Sequence, residues 1–263
     1  QHYLRKRHND FIIVQTPLMG TAVSAWLMAW ATRTPLVLNV SDLWPLTAKE
    51  MGALSGNSII YKLAEKVERF LYKHSTLCVG QSQQIVDYME QHGAKRTYLF
   101  RNGVNPTRFL PKKEISDAKP FKLVYTGLIG YAQGLVEICK HVNFAELGAE
   151  LHIYGAGGEK EMLEQFLSHN PNRGIFYHGK VEREMVPKVL ADCQATLIPL
   201  RESIYGAVPS KIYESMAAGL PILFSGNGEG ADIVANNQIG LVNMAGDYQA
   251  LTANIKEMIQ NKD

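Results

Sequence analysis

The residues of this 263-residue chain best equipped for chemistry lie in one stretch, Val208-Pro209-Ser210-Lys211-Ile212-Tyr213-Glu214-Ser215-Met216-Ala217-Ala218-Gly219-Leu220-Pro221. Pro209 and Ser210 predict a helix start, because proline is tolerated in a first turn and a serine hydroxyl can cap free backbone N–H groups. Gly219 stops the helix and Pro221 prevents its return. Ile212, Met216 and Ala217 share one face by spacing, which predicts that this face is buried. Lys211 and Glu214 stand one turn apart near the positive end. A helix start with a lysine beside it attracts anions, and a carboxylate one turn on can accept hydrogen bonds from a sugar diol. The pair could hold the phosphates and ribose of a nucleotide. It could equally be an i,i+3 ion pair on a capped surface helix.

The surrounding pattern positions this stretch. Apolar runs at residues 11–14, 36–40, 77–79 and 98–100 alternate with helical segments at about 16–32, 58–73 and 82–92. Strands that are apolar throughout and alternate with helices predict a parallel sheet covered on both faces. In the helix over 58–73, Ile59, Leu63, Val67, Phe70 and Leu71 are expected inside, with Lys62, Glu65, Lys66 and Arg69 outside. Residues 111–120 are polar and bounded by prolines, and they predict a linker between a first domain, 1–110, and a second, 121–263. In the second, strands are expected at 122–126, 150–154, 175–178, 195–199 and 222–224, with a closing helix over 247–260. A complete doubly wound unit has about six strands. The chain opens on Gln1, so the first domain is expected to be incomplete at its N-terminus.

Four strands of the second domain run into glycine-rich or polar loops. These are Gly127-Leu128-Ile129-Gly130-Tyr131-Ala132-Gln133-Gly134, Gly155-Ala156-Gly157-Gly158, Gly179-Lys180-Val181, and the segment from Leu200 to Ala207 that leads to Lys211. In open parallel sheets ligands bind at the carboxyl ends of the strands, and glycines let the backbone approach a diphosphate. The glycine spacing is not that of the dinucleotide fingerprint, which argues against a Rossmann dehydrogenase.

A net charge of +2 argues against nucleic-acid binding by bulk charge. Cys78, Cys139 and Cys193 show no metal-ligand spacing and suggest no disulfide framework, which fits a reducing cytoplasm. No apolar run is long enough to cross a membrane as a helix. The basic residues Lys62, Lys66, Arg69 and Lys73 could lay the 58–73 helix against an anionic membrane face, giving a peripheral contact. Glu65 and Glu68 interrupt that charge and favour an ordinary packed helix.

The order of these motifs resembles the GT-B glycosyltransferases of glycosyltransferase family 4. The motifs are Asp42-Leu43-Trp44-Pro45, Asn102-Gly103-Val104 with Phe109, Gly127 to Gly134, Tyr154-Gly155-x-Gly157, Pro209 to Glu214, and Met216-Ala217-Ala218-Gly219-x-Pro221. The subgroup they are most similar to resembles bacterial fucosamine transferases of surface polysaccharide assembly. The resemblance implies two Rossmann-like doubly wound domains facing a cleft, with the second holding a nucleotide-sugar donor, most readily a UDP-sugar. It implies transfer with retained configuration to a glycan or lipid-linked acceptor, without a metal or other cofactor. Glu214 would bind the ribose, and Lys211 with the N–H groups of Ser210 and Lys211 would hold the diphosphate. Gly127 and Gly130 would leave room for phosphates or sugar, and Lys180-Val181 would touch the base. Pro209, Gly155, Gln133 and Gly206 complete the implied donor set.

The chain departs from the family pattern at three places. Gly206 stands where most members carry a second glutamate, so Glu202 would have to reach in or the donor sugar loses a partner. Gln133 replaces a common basic residue, which shifts the diphosphate to Lys211. Ser41 or Asp42 replaces a common histidine; Asp42 could act as a base on the acceptor, or simply bond its own turn. A donor-binding module without activity of its own is the rival reading. A nucleotide-sugar epimerase fits less well, because the Pro-Ser-Lys-x-Tyr-Glu run does not match one.

Overall fold

A computed structural model of the chain describes residues 9–16, 18–109, 111, 120–201 and 204–261. Residues 1–8, Glu202 and most of the expected linker lie outside the described residues. The chain divides into two compact units, Gln1–Asn102 with Ile204–Val208, and Gly103–Ser203 with Pro209–Asp263.

The first unit runs β1 (Ile12–Gln15), α1 (Met19–Thr32), β2 (Leu36–Val40), α2 (Leu46–Glu50), α3 (Ile59–His74), β3 (Leu77–Gly80), α4 (Gln83–Gln91), β4 (Thr97–Leu99). Its sheet is parallel throughout, in the order β1-β2-β3-β4. Side-chain caps set the helix starts: Ser58 accepts from the N–H of Tyr61, and Ser82 from that of Ile85. The core packs Leu36, Leu38 and Val40 against Leu71, Ile85 and Met89. The short helix α2 follows Asp42-Leu43-Trp44-Pro45 where only a loop was expected.

Helix α3 keeps Leu71 and Val67 inward and Lys62, Lys66 and Arg69 outward, as expected, but departs from the expectation at three apolar positions. Its buried residues are Tyr61, Glu68, Leu71 and Tyr72, whereas Ile59, Leu63 and Phe70 face out. The inward side is held by polar bonds that hydrophobic periodicity cannot register. Tyr72 Oη donates to Glu68 Oε1 at 2.8 Å and Tyr88 Oη to Glu68 Oε2 at 3.2 Å.

The second unit runs β5 (Phe121–Leu128), α5 (Leu135–His141), β6 (Ala149–Ala156), α6 (Lys160–His169), β7 (Ile175–Tyr177), α7 (Val186–Ala191), β8 (Ala195–Pro199), α8 (Lys211–Ala218), β9 (Ile222–Ser225), α9 (Glu229–Asn236), β10 (Gly240–Asn243), α10 (Tyr248–Gln260). The sheet order is β10-β9-β8-β5-β6-β7, all parallel. β10 is a sixth strand beyond the five expected; its Gly240-Leu241-Val242-Asn243 is too short an apolar run to stand out. One face of the sheet carries the larger core, including Leu123, Tyr125, Leu151, Ile153 and Leu251. The other carries Val124, Leu190, Cys193, Ala218 and Phe109. All three cysteines are buried. The two parallel α/β sheets match the expected fold class.

Burial raises the Glu68 carboxyl from 4.5 to about 7, against the two tyrosine hydrogen bonds that favour the anion. Between those values the folded chain holds a proton that the unfolded chain has released. The contribution of this carboxyl to stability is therefore full below pH 4.5 and is lost as pH rises through about 7. Glu68→Gln, which cannot ionise, is expected to flatten this slope in thermal melts recorded across that range. A slope unchanged in the variant contradicts the assignment.

Candidate active site

The strand order of the second unit places the topological switch point between β5 and β8, where an open parallel sheet binds ligands. Helix α8 follows β8, and a buried hydrogen bond seats it: Thr196 Oγ1 and Ser215 Oγ lie 2.8 Å apart, and Ser215 also donates to the Lys211 carbonyl. The buried stripe of α8 is Ile212, Ser215 and Ala218, while Met216 is 48% exposed. This corrects the expected inward face, and the reason is the serine: a polar residue is buried because the strand supplies its partner. Gly219 ends the helix in the left-handed conformation, as expected. Ser210 does not cap α8 with its side chain. Among the described residues, the backbone N–H groups of Ser210 and Lys211 donate to nothing, leaving two donors at the positive end of the helix.

Lys211 is the centre of the site. Its stem folds over Gly127: a Cβ added there would stand 2.4 Å from Lys211 Cε and 2.7 Å from Nζ. The room that the glycine leaves is thus occupied by the lysine. The ammonium sits 5.3 Å from the centroid of the Tyr125 ring, in reach of a cation–π attraction. Among the described residues no carboxylate lies within ion-pair distance of Lys211. The i,i+3 pair with Glu214 is therefore not formed as a contact. Desolvation lowers the Lys211 pKa, with Glu214 opposing at longer range. Desolvation likewise raises the Glu214 carboxyl, opposed by Lys211, Arg183 and Arg108.

These groups open into a cleft of about 630 Å³ within the second unit. Gly127, Gly155, Lys180, Val181, Ser210, Lys211 and Glu214 line it, so seven of the expected donor residues come together. Tyr154 and Arg183 line it too and were not singled out from the sequence as donor residues. Arg183 lies in a run of mixed charge without periodic signal, and Arg108 donates to its carbonyl at 3.0 Å. Gly130 and Gln133 do not line the cleft; the Gln133 Oε1 atom is buried without a partner. Pro209 lies just before α8, and its carbonyl accepts from the N–H of Ile212. At Gly155 an added Cβ would stand 1.8 Å from the Gly127 carbonyl oxygen, so strand packing alone demands glycine there. A hollow of equal volume at the amino edge of β9 and β10 has no lysine or arginine in its lining.

Two expected residues lie in the first unit. Asp42, at the carboxyl end of β2, keeps contact with solvent, and desolvation raises its carboxyl pKa. The strand ends beside it are tied by Ser41, which donates to the Thr16 carbonyl, and by Gln81, which donates to the Ser41 carbonyl and accepts from Asn102. Gly206 belongs to the segment Ile204–Val208 and is absent from the donor cleft lining. Its φ is +82°, its N–H donates to Gln84 Oε1 at 2.9 Å, and an added Cβ would stand 2.7 Å from Ile85 Cγ1. The turn thus excludes the glutamate that the resemblance would place there.

The model of the glycosyl transferases group 1 matches residues 106–263, more than half of the chain. The chain belongs to this family. A glycosyl transferase 4-like domain model matches residues 1–103, so the two matches meet where the two units divide. By sequence the chain is similar to a probable glycosyltransferase, WbjE, of Pseudomonas aeruginosa, 23% identical over 83% of this chain and 58% of the relative. A glycogen synthase of Mycobacterium tuberculosis is 22% identical over 90% of this chain and 59% of the relative. The chain therefore spans under two thirds of the length of these relatives. Among solved structures, Anabaena HepE in complex with UDP superimposes with a TM-score of 0.76 at 17% identity, covering 94% of this chain and 69% of that one. That likeness shows the shared GT-B fold.

Gly206→Glu is expected to lower stability by about 1–3 kcal/mol, through backbone strain and the clash with Ile85. Chemical denaturation of the variant checks this; a variant as stable as the parent refutes the packing argument.

Proposed function

We propose that this chain is the donor-binding part of a retaining glycosyltransferase acting on a nucleotide-sugar, with a UDP-sugar as the first candidate. The observation that carries the reading is Lys211: a desolvated ammonium that, among the described residues, has no carboxylate partner, beside two helix N–H groups that donate to none of those residues, at the switch point of the sheet. A diphosphate supplies the charge and acceptors that these three donors lack. Glu214 faces the same cleft and accepts the ribose hydroxyls; Lys180 and Val181 border the base. The UDP complex of Anabaena HepE supports the choice of nucleotide.

In the transfer the bond between anomeric carbon and diphosphate oxygen breaks, and negative charge grows on the leaving diphosphate. Lys211 and the α8 N-terminus stabilise that charge more in the transition state than in the ground state. They do so without a divalent metal. The acceptor is a glycan or lipid-linked oligosaccharide of a surface polysaccharide, glycosylated on the cytoplasmic side, and Asp42 orients or deprotonates its hydroxyl. The transferred sugar is a hexose or N-acetylhexosamine. Among the described residues the cleft is lined by the second unit alone, which favours a second reading, in which this chain binds the donor but transfers no sugar by itself.

A thermal-shift panel of UDP, GDP, ADP and their sugars tests the donor site; no stabilisation by any nucleotide refutes both readings. Lys211→Ala should abolish the shift, and cut kcat/KM at least a hundredfold where turnover is measurable, while the melting profile without nucleotide survives. Because the Lys211 pKa lies below 10.5, nucleotide affinity should fall on alkaline titration before an ordinary lysine would discharge, and Lys211→Arg should remove that loss.

A further inference from the structure

Helix α3 of the first unit packs Leu71 and Tyr72 on the core but leaves a second set of hydrophobic residues in solvent. Ile59 is 85% exposed, Ile60 68% and Leu63 61%. Ile59, Leu63 and Phe70 follow one another along the outward ridge by their 3.6-residue spacing. Phe70 meets Trp26 of α1 edge to face at 4.7 Å. Trp30, one turn further along α1 on the same side, is 72% exposed. The apolar ridge thus spans two helices.

The charges on α3 flank this ridge. Lys62, Lys66, Arg69 and Lys73 are exposed, against one outward carboxylate, Glu65, which Arg69 holds at 3.2 Å. Glu68, which in the sequence breaks the basic run, is buried beneath the helix on Tyr72 and Tyr88. It subtracts nothing from the outer face. Among the described residues, Lys62, Lys66 and Lys73 form no ion pair.

We propose that this face of α3, with Trp30 of α1, docks the protein onto an anionic lipid bilayer. The apolar side chains enter the headgroup boundary and the lysines meet lipid phosphates. An exposed isoleucine and leucine pair ringed by lysines matches the two attractions that hold interfacial helices, apolar burial and anionic charge. A tryptophan at the edge suits the interface, where its ring is amphipathic. A second copy of the chain is a poorer occupant, because the lysines would face one another across a symmetric contact. The inference does not rest on the donor-site reading, since the surface lies wholly on the first unit.

Sedimentation of the full chain with vesicles tests it, using equal parts phosphatidylglycerol and phosphatidylcholine, and phosphatidylcholine alone. The chain should pellet with the anionic vesicles, less with the neutral ones, and less as salt rises. Lys62→Gln with Lys66→Gln should weaken the partition on the order of thirtyfold. Ile59→Ser with Leu63→Ser should abolish it, and neither double variant should alter the thermal melt, because these side chains are exposed. Failure to pellet with anionic vesicles overturns the proposal, as does binding unchanged in both variants. Concentration-dependent dimerisation lost in the Ile59→Ser, Leu63→Ser variant, without vesicle binding, also overturns it and assigns the face to a second copy.

Discussion

The second unit is built around a half-buried lysine charge that, among the described residues, has no carboxylate within ion-pair distance. Lys211 reaches over a strand that must carry glycine at 127 to admit it, beside an aromatic ring that offers only its π face. Such an arrangement costs desolvation and recovers little of it inside the chain. A cation held this way is a standing demand for an anion. The surrounding geometry follows from serving it: the Thr196–Ser215 bond fixes the helix that bears the lysine, and Gly155 lets the neighbouring strand close up behind Gly127.

Most of the architecture was legible because apolar runs and turn residues alternate cleanly. The strand–helix alternation, the caps at Ser58 and Ser82, and the glycine that ends α8 all follow from local rules. The misreadings share a cause. At α8 and α3 the buried face includes polar residues, Ser215 and Glu68, which bond Thr196 of β8, and Tyr72 of α3 with Tyr88 of α4. Hydrophobic periodicity assigns such positions to solvent, and so misplaced Ile59, Leu63 and Phe70 of α3 and Met216 of α8. That Gly127, Gly155, Lys180, Val181, Ser210, Lys211 and Glu214 would meet was legible, since the cleft gathers loops at one sheet edge. Arg183 was not, because a charged loop residue carries no spacing that marks its direction. Gly206 was read as a lost ligand, and its left-handed backbone beside Ile85 accounts for it as a packing turn instead.

Glu68 shows how a single buried carboxyl changes the reading of a surface. Counted along the sequence, it dilutes a basic helix. Placed under two tyrosines, it supports the helix from below and leaves the lysines unopposed above. The charge that matters to a partner is the charge on the exposed face, which composition alone does not give.

The segment Ile204–Val208 carries one further consequence. The chain passes between its two units three times, at Asn102, after Ser203 and after Val208. The Tyr205 and Gly206 N–H groups are anchored on Glu50 and Gln84 of the first unit. A second unit excised at residue 103 would keep this segment but lose the groups that hold it, immediately upstream of Pro209 and Lys211. The two units are separable on paper but not by a single cut.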